Sequence, residues 1–120
     1  MGKASDIIVF QRNPVRVEQF NAPADRQLEG ECAQTVENHY SDPSGQFHAG
    51  IWSGGCGRWR VKYHEHEFCT LLEGYVRLTD LQGDSVELYA GDHFVIPAGF
   101  EGEWEVLEPA RKTYAIFEPR

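Results

Sequence analysis

The densest group of reactive side chains lies in VKYHEHEFCTLLEG, Val61–Gly74, where His64 and His66 stand one residue apart and alternate with Glu65 and Glu67. Imidazole and carboxylate are common ligands of first-row divalent metals, so HxH followed by a glutamate can chelate one. The same residues, HEHE, also make an ordinary polar loop between two strands, and both readings stand open. Glu67 is the candidate general acid or base, because an aromatic, water-poor setting raises a carboxyl toward neutrality, where proton transfer is most useful. Tyr63 can donate a hydrogen bond to a developing oxyanion. An ion pair between Glu67 and Arg60, Lys62 or Arg111 is the structural alternative. Cys69 as a nucleophile needs a base that the sequence does not identify. His39, His48 and His93 are isolated and read as surface or packing residues.

These side chains need a scaffold, and the pattern around them is that of strands. From Gln46 onward the chain is a series of short extended runs: QFHAGIWSGG, GRWRVKY, EFCTLLEG, YVRLTDLQGD, SVELYAGD, HFVIPAGF, EGEWEVLEP and RKTYAIFEP. Their β-branched and aromatic content and their Gly or Pro boundaries predict strands, and so many at close spacing predict an all-β sandwich or barrel. In GEWEV, Gly102, Trp104 and Val106 share one face, which turns inward, while Glu101, Glu103 and Glu105 share the solvated one. DLQGD suits a hairpin turn. Residues 46–120 are read as the barrel and residues 1–45 as an irregular arm that packs on it or on a dimer partner. Within the arm, DIIVF is a possible strand and NAPADRQLEGE a loop broken by Pro23.

Composition narrows the function. The 120 residues suit one domain with a real core, and 41% apolar with 25% charged residues is ordinary for a globular protein. A net charge of −8 with no basic stripe argues against nucleic acid and against an anionic membrane surface. No apolar run is long enough to span a bilayer, and MGKASDIIVF lacks the apolar stretch of a signal peptide, so a cytoplasmic location is expected. Cys32, Cys56 and Cys69 form no CxxC, are odd in number, and read as small hydrophobes in a reducing compartment. GxGxxG, P-loop and GxSxG motifs are absent.

Two fragments resemble the cupin superfamily. GDHFVIPAG places Gly91, Pro97 and Gly99 at the spacing of the second cupin motif, and EFCTLLEG places Glu67 and Gly74 at that of the first. The wording from Gly57 to Phe117 is similar to the single-domain DUF861 cupins, grouped with ureidoglycine aminohydrolase and the ethanolamine-utilisation cupins. The resemblance implies a double-stranded β-helix, or jelly-roll barrel, with Gly74 and Gly91 at tight turns and Gly99 at positive φ.

It also implies where a metal would sit. The usual ligand positions, and those of the aminohydrolase cupins, fall on Val61, Tyr63, Glu67 and Gly102; the alternative register puts the first two on Arg60 and Lys62. Only Glu67 can bind metal, so no metal cofactor is expected; a divalent metal, if bound, would use the displaced His64, His66 and Glu67. With the Tyr63 and Gly102 positions facing inward, a period of two puts Trp59, Val61 and Tyr63 on one wall, Glu67, Cys69 and Leu71 on a second, and Trp104 on a third. Such a pocket suits a small, partly apolar, nitrogen-bearing ligand held by stacking or cation–π contact, with Glu67 as counter-charge. The alternative is that these residues merely fill the barrel. The expected function is binding of a small metabolite, with an aminohydrolase- or isomerase-type enzyme and a structural partner in a larger assembly as alternatives. A homodimer is expected, because open strand edges are commonly covered by a second chain.

Overall fold

In the computed structural model, residues 2–13 and 15–120 are described. Two single-turn 3-10 segments, Ala4–Asp6 and Phe10–Arg12, precede nine strands: β1 Glu18–Asn21, β2 Gln27–Glu29, β3 Ala33–Ser41, β4 Phe47–Gly54, β5 Gly57–Lys62, β6 His66–Asp80, β7 Ser85–Tyr89, β8 His93–Ile96 and β9 Glu101–Phe117. Among the described residues all pairing is antiparallel, in one curled sheet with the path β1-β3-β4-β9-β5-β2, with β6 branching from β9 and with β7 and β8 paired to β6. Among the described residues no helix is long and apolar enough to cross a membrane.

β9 organises the sheet. Along one edge it pairs first with β5 (Val106↔Gly57 through Glu101↔Lys62) and then with β4 (Phe117↔Phe47 through Ala110↔Gly54). Its other edge pairs with β6 for nearly the whole length of both. The alternation anticipated in GEWEV is present: Gly102, Trp104 and Val106 are buried, and the glutamates between them are not. Two pairs of runs that read as separate strands are each continuous. β6 passes through Gly74, which lies at a register shift at φ 94° rather than at a tight turn. A Cβ there would strike the Pro109 carbonyl. β9 passes through Pro109 without breaking. The turn at DLQGD is as expected, with Gly83 at φ 89° and Asp80 Oδ1 accepting from the Gln82 and Asp84 amides.

The first 45 residues are part irregular and part strand. DIIVF forms no strand; it runs from one 3-10 turn to the next, and Phe10 stacks on His39 at 4.4 Å. NAPADRQLEGE is not all loop, since Gln27–Glu29 pairs with β5. β3 pairs with β4 over most of its length and brings Gln34, Val36 and Asn38 to the inner face of the curl. The core inside the curl is Trp52, Trp59, Leu71, Val76, Trp104 and Val106 with their neighbours.

Candidate functional site

The curl lines an open cavity of about 500 Å³, the size of a small-molecule site. Alternation decides which side chains reach it. β5 sends in Trp59 and Val61, the bend after it Tyr63, β6 Glu67, and β9 Trp104, Lys112 and Tyr114. Cys69 is buried behind the wall, and its thiol donates to Glu67 Oε1 at 3.3 Å. Five of the six residues expected in the pocket therefore line the cavity, and the sixth supports one of them.

At its centre is a buried ion pair. Lys112 Nζ donates to Glu67 Oε1 at 2.8 Å, and both residues are buried. The same ammonium lies 4.4 Å from the centroid of the Trp104 ring and 5.2 Å from that of Trp52, within cation–π range. Glu67 is indeed ion-paired, but with none of the expected partners. Lys62 reaches toward Glu101 at 3.9 Å on the outer face, and Arg60 and Arg111 are exposed.

Burial and this pair set the ionisation of the wall. For Lys112, burial pulls the pKa down, but the Glu67 charge, with help from Cys69 and Tyr63, outweighs it and holds the ammonium above its ordinary range. Burial pushes Cys69 up to about 12 and Tyr114 also to about 12. Tyr63 is raised as well, by burial first, against the opposing pull of Lys112. All four keep their protons at neutral pH.

The polar groups around the cavity are mostly committed to one another. Trp52 Nε1 donates to Gln34 Oε1 at 2.9 Å and the Tyr114 hydroxyl to Asn38 Oδ1 at 2.8 Å. Trp104 Nε1 is buried with no partner among the described residues, its ring edge-on to Trp52 at 5.6 Å.

Among the described residues no ligand set for a divalent metal is assembled at the positions that the sequence resemblance implies. Val61 and Tyr63 stand at two of those four positions, and at the third Glu67 is engaged by the ammonium of Lys112. The fourth, Gly102, has no room for a side chain, because a Cβ there would run into the Thr79 carbonyl oxygen. The displaced set is dispersed. His64 lies exposed in the bend, while His66 faces outward, accepting from the Ala98 amide at 3.1 Å and stacking on Phe117. Glu67 points into the curl, and among the described residues no three His, Cys, Asp or Glu side chains gather as a metal group. Of the isolated histidines, His93 bonds Thr70 Oγ1 and His48 bonds Ser41 Oγ, while His39 packs on Phe10 with its Nδ1 unpaired among the described residues.

Residues 41–114 match the family model described as the EutQ-like cupin domain. The chain belongs to the EutQ-like cupin family. Solved structures agree on the jelly-roll fold. The EutQ protein of Clostridium difficile superposes with a TM-score of 0.66 at 16% identity, over 72% of this chain and 64% of that one. A DUF861-family protein from Pseudomonas syringae pv. tomato gives 0.75 at 21% identity, over 85% and 44%. Ethanolamine utilization protein Q from Salmonella typhimurium gives 0.66 at 14% identity, over 88% and 96%. The chain thus spans less than two thirds of the first of these proteins and less than half of the second. No curated protein matches it.

Lys112, Trp52, Tyr114, Gln34 and Asn38 were not foreseen as parts of this site. Counting in twos along β9 from Trp104 and Val106 reaches Ala110, Lys112 and Tyr114, so the signal for the two β9 residues existed, provided the count is carried across Pro109.

Proposed function

We propose that this cupin binds a small organic molecule in the barrel cavity and holds it without turnover. The observation that carries the reading is the cavity wall itself: about 500 Å³ lined by Trp52, Trp59 and Trp104, with an internally neutralised Glu67–Lys112 pair. A merely filled barrel would leave no such volume. Catalysis by proton transfer needs a group that exchanges a proton near the working pH. Glu67, the candidate acid or base, is engaged by the Lys112 ammonium at 2.8 Å, and Lys112, Cys69, Tyr63 and Tyr114 are held away from that range in the protonated form.

The three tryptophans on the wall are all the tryptophans in the chain, so ligand entry is read directly as a change in intrinsic fluorescence. Titration with a panel of small metabolites, ethanolamine among them because of the name of the Salmonella neighbour, is expected to give a saturable change for at least one compound. That compound should be recovered chemically unchanged. A panel that leaves the emission flat throughout sinks the binding reading, and consumption of the bound compound replaces it with an enzymatic one.

A further inference from the structure

Arg26, Arg60, Lys62 and Glu65 also line the cavity, but around the buried Glu67–Lys112 pair the polar inventory is one-sided. Among its acceptors, Asn38 Oδ1 takes the Tyr114 hydroxyl and Gln34 Oε1 the Trp52 N–H. Glu67 Oε1 takes both the Lys112 ammonium and the Cys69 thiol. Glu67 Oε2 is left over, and its charge is already balanced by Lys112. The donors are in surplus. An ammonium carries three N–H groups, of which Lys112 gives one to Glu67 Oε1. The Tyr63 hydroxyl lines the cavity with no partner among the described residues.

A second observation concerns charge. A ligand cation in this barrel would need aromatic faces and a counter-charge. Those features exist, and Lys112 has taken them: the Trp104 and Trp52 faces lie 4.4 Å and 5.2 Å away and Glu67 2.8 Å away. An incoming amine would meet a resident ammonium at close quarters and find the carboxylate already engaged.

Resting on the binding reading above, we propose that the occupant of the cavity is an oxygen acid, a small carboxylate with a flat or apolar body, and not an amine. The body lies against Trp59 and Val61, away from the ring faces that Lys112 covers, and the carboxylate oxygens accept from the spare donors of Lys112 and Tyr63. This reverses the nitrogen-bearing ligand expected from the aromatic residues and Glu67 alone, because Lys112 supplies the cation that such a ligand would have brought.

The test uses three probes of one shape, benzoate, benzamide and benzamidine, titrated calorimetrically and by tryptophan fluorescence at matched ionic strength. Benzoate is expected to bind at least tenfold more tightly than benzamidine. Tyr63→Phe, which removes one hydroxyl and keeps the ring, is expected to weaken benzoate roughly tenfold, the scale of one hydrogen bond to a charged group. Benzamidine binding as tightly as benzoate, or benzoate binding untouched by Tyr63→Phe, overturns the charge assignment and leaves binding in place. If all three probes are silent, the metabolite panel decides: a bound acid supports the assignment, a bound amine overturns it, and a silent panel brings down the binding reading as well.

Discussion

The two faces of the same sheet carry the same kind of ion pair in opposite settings. On the inner face Lys112 and Glu67 meet at 2.8 Å, with 5% and 9% of their side-chain surface exposed. On the outer face Arg77 and Glu87 also meet at 2.8 Å, with 33% and 42% exposed, and Arg77 reaches Glu105 as well. Equal distances do not mean equal consequences. Water screens the outer pair and solvates either partner if the other is removed, so it contributes little. The inner pair has little solvent to fall back on, and each charge there depends on the other.

The comparison is broken most directly by removing one inner partner. Lys112→Met or Glu67→Leu alone is expected to cost about 3–5 kcal/mol in urea unfolding, because the remaining charge is left buried and unpaired. The double variant Glu67→Leu/Lys112→Met should recover most of that loss. A double variant as unstable as the singles would mean that the pair shapes the fold by something other than charge.

Alkaline titration sharpens the contrast at an intermediate level. Cys69 has an ordinary value of 9.0 and is raised in the fold to about 12, so the folded state keeps a proton that the unfolded chain releases. Stability from this group is fully present below pH 9 and drains away between 9 and 12. The raised Lys112 acts in the same direction, from its ordinary 10.5 upward. Unfolding free energies measured from pH 7 to 11 should therefore hold level and then fall, with a shallower fall in Cys69→Ala. A profile indifferent to that substitution would remove Cys69 from the account. The smallest effect is expected outside: Arg77→Ala should shift the urea midpoint by only a small fraction of the Lys112→Met shift, and added salt should hide even that.

How far the sequence revealed this arrangement depends on the strand. From β4 onward, alternation together with Glu67, Gly74, Gly91, Pro97 and Gly99 was enough to place Trp59, Val61, Tyr63, Glu67 and Trp104 on the inner face. Lys112 was missed for a physical reason. Proline usually ends a strand, so EGEWEVLEP and RKTYAIFEP read as two runs with no shared alternation, and a lysine is rarely buried unless paired. Its partner, 45 residues earlier in the chain, becomes visible only once β6 and β9 are aligned. β3 was obscured because AQTVENHY turns Gln34 and Asn38 inward with Val36, and the polar pair hides the period of two. The 3-10 turns around DIIVF show the opposite failure, since apolar β-branched residues suggest a strand where the chain forms none.

β9 follows β4, β5 and β6 in the chain, yet all three bond to it. During N-to-C synthesis those three strands emerge from the ribosome before the partner they share. Their open edges and the tryptophans behind them must wait unpaired, and only the arrival of residues 101–117 lets the curl close. Folding of this sheet is therefore governed by β9, and these three strands are at their most exposed to wrong partners just before it appears.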